Sequence, residues 1–479
     1  MIKAIKNFFK PIDLTKGSPW KVILIFAIPI LISTILNSAF SLINALVLKV
    51  NVGGDSVTAI NSTSPISSIL FNFAYGCSSG FAVIASNQHG AKDDDGVKKS
   101  FYHSIFLSLL LALIIMAIGL IFYKDLLKLL NINERYLTKA GNYYQIILCS
   151  FVFMMLSNFL GNFLRAIGNS SIPLIISLGA TLVNIGMAFL LTGPIHLDTR
   201  GVALATLTAN LFNTGITLFY IYKKYPFLRF KKENLKMEKS MIGGLLKMGL
   251  PLGLQWSILF VGSFIQAQKV NGFGELATKA VSCYSPMEGY LTIPLSVMAS
   301  SLLSYVGQNY GAKEKQRIKN GIRDVFIIDV ICYALIVLIG FIIIPNVPYI
   351  FLPKNELAGE EGSKIMYYCS TYLKILIPFL IMQGIVQMSR SCLQGIKKPI
   401  IPFLSGIGEL VARVVICLFI PGWINPSNPT SNESYLGICF STPIAWVVSA
   451  LIMGGSVIYI IFIKNLRSLD QITDIEKEA

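Results

Sequence analysis

The chain has 479 residues, of which 54% are hydrophobic and 13% charged, with a mean hydropathy of +0.66 and a formal net charge of +16. A soluble domain carries about twice that charged fraction, so an ordinary soluble protein is excluded. Apolar stretches long enough to cross a hydrocarbon core of about 30 Å recur along the whole length. They must be helices, because in lipid every backbone polar group needs a partner within its own segment.

In chain order, residues 1–21 form a cytoplasmic tail. Met1, Ile2, Ile5, Phe8 and Phe9 alternate with lysines up to Pro11, a pattern that suits a short interfacial helix and equally a frayed tail. The first apolar run is too long for the core of a signal peptide and lacks a small-residue cleavage site, so no cleavable signal is expected. A first lobe over 22–222 holds six predicted spans, at 22–48, 57–86, 100–123, 136–163, 172–191 and 201–222. A basic linker occupies 223–241. A second lobe over 242–463 holds six more, at 242–267, 276–305, 325–344, 365–393, 400–420 and 436–463, and residues 464–479 form a second tail.

Lysine and arginine concentrate in the first tail, in the linker (Lys223, Lys224, Arg229, Lys231, Lys232, Lys236, Lys239) and after the eighth span (Lys313, Lys315, Arg317, Lys319, Arg323). All three segments fall on one side of a twelve-span chain, which predicts that both termini are cytoplasmic. These charges orient the chain and meet the lipid bilayer. They are too dispersed among short loops to track a nucleic-acid backbone. The eight cysteines form no CxxC pair and read as packing residues, and His89, His103 and His196 lack metal-ligand spacing. With no nucleophile motif and no phosphate loop, an enzyme is not expected and no cofactor is implied. Pro29, Pro65, Pro251, Pro294 and Pro378 fall inside predicted spans, where each favours a kink.

The chain repeats itself. Asn87-Gln88-His89-Gly90-Ala91-Lys92 ends the second span, and Gln308-Asn309-Tyr310-Gly311-Ala312-Lys313 ends the eighth. Leu164-Arg165-Ala166-Ile167-Gly168, followed by Pro173, matches Leu393-Gln394-Gly395-Ile396-Lys397, followed by Pro402, and Pro29 matches Pro251. All offsets are about 220 to 230 residues, the length of six spans with loops. Six is even, so the copies enter from the same face. They are parallel repeats about a pseudo-two-fold axis along the membrane normal, with a cleft expected between them near mid-membrane.

Ionisable groups inside spans are costly, about 2.5–3.5 kcal/mol at a helix centre, and mark functional candidates. Glu288 lies near the middle of the eighth span, with no basic neighbour evident in sequence. Glu409 and Arg413 lie one turn apart in the eleventh and can pair. Asp329, Lys247 and Lys374 lie near predicted span ends, where snorkelling explains them. Asn37, Asn44, Asn158, Asn162, Asn184, Thr206, Asn210 and Asn213 can line a neutral polar pocket in the first lobe, or simply bond neighbouring helices.

At these motifs the chain resembles the multidrug and toxic compound extrusion (MATE) family. The resemblance is carried by Gln308 to Ala312 and its weaker copy at Asn87 to Ala91, by Gly201-Val202-Ala203-Leu204-Ala205-Thr206, by Gly406 to Val415, and by Pro443-Ile444-Ala445-Trp446. It implies an all-α membrane protein of about twelve helices, in two parallel six-helix repeats around a V-shaped cavity. It also implies export of small organic, often cationic compounds against H⁺ or Na⁺, in a bacterial plasma membrane, with a monomer expected. By family position Asn44, Asn184 and Thr206 are site candidates in the first lobe and can ligate Na⁺, alongside Glu288, Glu409 and Arg413. The family's first-lobe aspartates are replaced here by Asn44 and Ala188, which moves any proton coupling to the remaining carboxylates. A lipid-linked precursor flippase is the alternative cargo class, but it needs basic residues deep in the cavity, and few exist. A receptor or scaffold leaves the repeat unexplained.

Overall fold

The structure is a computed structural model that describes residues 10–130, 132–230 and 237–466; the side chains at 41, 42, 44–46, 48 and 49 lie outside that description. The expected interfacial helix of residues 1–10 falls almost wholly outside it. Among the described residues there is no strand, and twelve helical stretches are long and apolar enough to cross a membrane.

The first six spans are built from α1 (Pro19–Asn51), α2 (Gly54–Ser62) leading into α3 (Ser64–Gly90), α4 (Asp94–Leu129), α5 (Glu134–Ala166), α6 (Ser171–Thr192) and α7 (Asp198–Lys224). The last six are α8 (Lys239–Asn271), α9 (Glu275–Gly311), α10 (Lys315–Ile343) extended by α11 (Val347–Phe351), α12 (Gly359–Leu376) with α13 (Leu380–Gly395), α14 (Ile400–Ile424), and α15 (Asn432–Cys439) with α16 (Ser441–Val457). Several helices run past the predicted apolar windows by one or two turns, because their ends are capped rather than cut off by loss of hydrophobicity. Asp93 accepts from the Gly96 amide (2.8 Å) at the start of α4, with Asp94 and Asp95 in the favourable first turn. Asn133 does the same for Arg135 (3.0 Å) at the start of α5.

The repeat is visible in backbone conformation. Lys92 and Lys313, at equivalent places after α3 and α9, both adopt positive φ (59° and 60°). After α5 and α13, Gly168 and Lys397 do likewise (88° and 58°). Each of the latter pair closes the same cap, with Asn169 N bonding Leu164 O and Lys398 N bonding Leu393 O, both at 2.8 Å.

The prolines divide into two kinds. Pro29, Pro251 and Pro294 sit inside continuous helices. Pro65 instead opens α3 after a break at Thr63, where its missing N–H costs nothing. Pro378 lies in a 3₁₀ turn, Ile377–Phe379, that splits the tenth span into α12 and α13.

Close contacts divide the chain into two units, Met1–Gly17 with Leu24–Ser257 and Gly307–Ala312, and Ser18–Ile23 with Ile258–Val306 and Lys313–Ala479. In the first, α7 packs on α5 and α6, and α5 on α3 and α4. The first half of α8 also packs there, backbone to backbone. A Cβ on Gly76 would strike the Leu252 carbonyl, and one on Gly80 would strike Gly249. The two copies of the repeated motif meet in this unit: a Cβ on Gly90 would fall on the Gln308 carbonyl, and one on Gly311 on that of Asn87. Gln308 and Asn309 then hold the chain on either side. Gln308 Nε2 donates to Ala166 O (2.8 Å), its Oε1 accepts from Leu14 N (3.1 Å), and Asn309 Nδ2 donates to Leu14 O (3.1 Å).

In the second unit, α16 packs on α13 and α14. Its core is rich in aromatics and cysteine: Tyr284 stacks on Tyr372 (centroids 3.9 Å apart), and Cys283, Cys369, Cys417 and Cys439 are buried around them. Of the eight cysteines, six are buried and unbridged, Cys332 is partly exposed and Cys149 is exposed.

Candidate functional sites in the two units

The first unit holds a pocket of about 350 Å³ between α1, α6 and α7. Its polar lining is Asn37, Ser177, Thr181, Asn184, Thr206, Asn210 and Asn213, and among the described residues no lining side chain is ionisable. Helix periodicity explains the convergence: Ser177, Thr181 and Asn184 share one face of α6, and Thr206, Asn210 and Asn213 one face of α7. Several lining groups are already engaged. Thr181 Oγ1 donates to Asn37 Oδ1 (2.9 Å), Asn37 Nδ2 to Ser33 Oγ (3.2 Å), Asn210 Nδ2 to Ser150 Oγ (3.0 Å) and Thr206 Oγ1 to Val202 O (3.2 Å).

Of the expected residues, Asn184 and Thr206 are therefore together here, while the side chain of Asn44 lies outside the description. Asn158 and Asn162 do not line the pocket; Asn162 Oδ1 instead accepts from Arg165 on its own helix (3.1 Å). Ser177 and Thr181 were not singled out from sequence, although their spacing from Asn184 on one helix face was a usable signal.

The second unit holds a pocket of about 260 Å³ with both signs of charge in its lining, Glu288 from α9 and Arg413 from α14. Tyr372 OH donates to Glu288 Oε2 at 2.8 Å and lies 3.4 Å from Thr442 Oγ1. Thr442 Oγ1 donates to Gln266 Oε1 (2.8 Å). Arg413 Nη1 donates to the same Gln266 oxygen (3.0 Å), to Thr442 (3.3 Å) and to Ser263 (3.4 Å). Its Nη2 reaches Glu409 Oε1 at 3.2 Å. Polar groups thus run without interruption from Glu288 through Tyr372, Thr442 and Gln266 to Arg413 and Glu409, and five helices contribute to them. Glu409 is 4% exposed and sits behind Arg413, outside the lining itself.

Glu288, Glu409 and Arg413 are therefore gathered in one region, which gives Glu288 a basic residue in its pocket that its sequence neighbourhood does not show. Arg413 is remote in sequence and reaches it only through the packing of α14. Tyr372, Gln266 and Thr442 were not foreseen. Each is a neutral polar residue among many, and only the fold selects these three.

One correction concerns Asp329. It was expected to snorkel from a span end, but α10 begins at Lys315, so Asp329 lies roughly 21 Å along the helix. It is 3% exposed, against Gly384 of α13, and its Oδ1 has no hydrogen-bond partner among the described residues. Lys247 and Lys374 are exposed, as snorkelling requires. His103 is a structural peg: Nδ1 lies 2.7 Å from Lys99 O, and Nε2 accepts from the Glu238 amide (2.8 Å) just before α8.

The MatE family model matches residues 29–190 and 251–419, most of both halves. The chain belongs to this family. Among curated relatives, it is 25% identical to a probable multidrug resistance protein, YoeA, of Bacillus subtilis, over 92% of this chain and 94% of that one. It is 24% identical to the multidrug export protein MepA of Staphylococcus haemolyticus, over 79% and 82%. Solved structures share the fold at 18% identity. One is an outward-facing multidrug resistance MATE family transporter of the MOP superfamily, with TM-score 0.80 and coverage of 92% and 95%. Another is a MOP superfamily transporter from Pyrococcus furiosus, with TM-score 0.81 and coverage of 93% and 97%. This MATE chain is thus an all-helical, multi-pass membrane protein of a multidrug efflux family.

Proposed function

We propose that the chain is a secondary antiporter that exports small organic compounds, cationic or amphipathic, by alternating access, driven by an inward gradient of H⁺ or Na⁺. The observation that carries this reading is the charge composition around Glu288. One guanidinium stands among two carboxylates: Arg413 pairs with Glu409 and lines the same pocket as Glu288. With all three ionised the group carries one net negative charge inside a membrane-spanning bundle, where uncompensated charge is expensive. One monovalent cation restores neutrality, and a proton, Na⁺ or a cationic substrate each supplies it. Mutual exclusion of ion and substrate at such a site is what exchange requires. The same net negative charge disfavours a phosphate-bearing lipid cargo. The names of the relatives, multidrug resistance and multidrug export proteins, agree in class.

The neutral pocket of the first unit cannot exchange protons near neutrality, since it offers only amides and hydroxyls. Proton coupling therefore belongs to the carboxylates of the second unit, with Glu288 foremost because it lines a pocket. The test is efflux of a cationic dye from vesicles of purified protein, under an imposed pH gradient and separately an imposed Na⁺ gradient. Glu288→Gln is expected to abolish the pH-driven component and Asn44→Ala to leave most of it. Loss of pH-driven efflux in Asn44→Ala with retention in Glu288→Gln would refute the assignment.

A further inference from the structure

The second unit has a further cavity away from both polar sites. It is a groove of about 560 Å³ between the start of α10, the end of α13 and the end of α16 with the π-helical turn Ile458–Ile463. Its lining combines two cationic side chains, one buried hydroxyl and a broad apolar surface. Lys319 and Arg323, one turn apart on α10, stand at roughly 6 and 12 Å from the start of that helix and form the rim. Ser389, roughly 9 Å from the end of α13, lines the wall. Gln316 and Asn320 stand beside Lys319 and Arg323, and the rest is apolar, chiefly Phe326, Ile385, Met388, Val457, Ile458 and Phe462.

Two features mark the groove as built rather than left over. Ser389 is fully buried, yet its hydroxyl has no hydrogen-bond partner among the described residues. A buried polar group of that kind ordinarily has one. The π turn, a rare geometry that is frequent at functional sites, presents Ile458 and Phe462 to the groove and sets the Phe462 ring 6.0 Å from Lys319 Nζ. Arg323 touches its neighbour Asp324 (3.1 Å), but its side chain stays 66% exposed at the rim.

Two cationic side chains at the mouth, a buried hydroxyl without a partner among the described residues, and an apolar wall complement the three parts of a phospholipid: phosphate, glycerol ester and acyl chain. Basic pockets between membrane helices recognise anionic headgroups in this way. We propose that the groove binds one anionic phospholipid from the leaflet at this end of the spans, with its phosphate on Lys319 and Arg323, its ester region against Ser389 and an acyl chain on the apolar floor.

The test uses the full chain, purified and delipidated, titrated with phosphatidylglycerol and with phosphatidylcholine of the same acyl chains, and bound lipid counted by native mass spectrometry. Wild type is expected to retain phosphatidylglycerol preferentially. The double variant Lys319→Ala/Arg323→Ala should lose about thirtyfold in phosphatidylglycerol affinity and little for phosphatidylcholine. Gly454→Leu keeps both charges but fills the floor, because a Cβ there already touches Ile385 (3.4 Å) and lies 3.9 Å from Ser389 Oγ. It should lose both lipids. Unchanged retention in the double variant would overturn the proposal. So would full phosphatidylglycerol preference in Gly454→Leu, which would reduce the rim to general headgroup attraction. Displacement by soluble glycerol phosphate at equal concentration would assign the rim to a free anion. A dimer lost on Gly454→Leu would assign the groove to a second copy of the chain, and either result would also overturn it.

Discussion

Arg413 shows how much one side chain can be asked to do inside a membrane bundle. Its guanidinium meets Glu409, Gln266, Thr442 and Ser263, and it faces the pocket that Glu288 lines. Removing it would leave Glu409, 4% exposed, as an unpaired buried charge, a loss of about 3–5 kcal/mol. Arg413→Met is therefore expected to lower the thermal unfolding midpoint of the purified protein sharply, and Arg413→Met/Glu409→Leu to recover most of it while transport stays lost. Equal midpoints for the single and double variants would mean that the pair is not energetically coupled. Tyr372 gives a milder, more specific probe. Tyr372→Phe keeps the stack on Tyr284 but removes the hydrogen bond to Glu288. A bond to a charged group is worth about 1.5–3 kcal/mol, so pH-driven efflux is expected to fall about tenfold or more, with the protein still folded. Efflux at the wild-type rate would remove Tyr372 from the site.

The repeated Asn/Gln-rich motif changes meaning at the scale of elements. In sequence it is a recurrence at about 220 residues that ends the second and the eighth span. In the fold it is a crossing of two helix ends, with Gly90 against the Gln308 carbonyl and Gly311 against that of Asn87. Its amides are spent on Leu14 and Ala166. No side chain fits either glycine, so Gly90→Ala and Gly311→Ala should each destabilise by about 1–3 kcal/mol or more through overpacking. Gly186→Ala, with nothing within 4 Å, serves as the control. Thermal unfolding in detergent distinguishes them, and equal midpoints for all three would show that the crossing tolerates a methyl group. The spans themselves were legible in sequence because apolar length and loop charge are local properties. Whether Pro65 kinks a helix or opens one depends on the break at Thr63, and hydropathy does not register that. Asp329 was misplaced for a related reason: α10 begins ten residues before the apolar window, so an apparent end was a middle.

For the whole molecule, twelve spans and two copies could be read from pattern, whereas the site of the second unit could not. Gln266, Glu288, Tyr372, Arg413 and Thr442 come from five helices, and no single predicted span contains two of them. Orientation is the global property still expressed in the sequence alone, through loop charge. The linker after α7 and the first turns of α10 are basic, and with an even number of spans they share a side with both termini. The loop between α14 and α15, residues 425–431, has no basic residue and opens on the other side. Lysine and arginine resist translocation, so the basic side is expected to be cytoplasmic. Ser18 and Ser427 are both exposed, and cysteine is nearly isosteric with serine. With the eight native cysteines replaced, Ser427→Cys should react with a membrane-impermeant maleimide in intact cells, and Ser18→Cys only after the membrane is opened. The opposite pattern would invert the topology, and reaction of both in intact cells would break the even parity on which the parallel repeat depends.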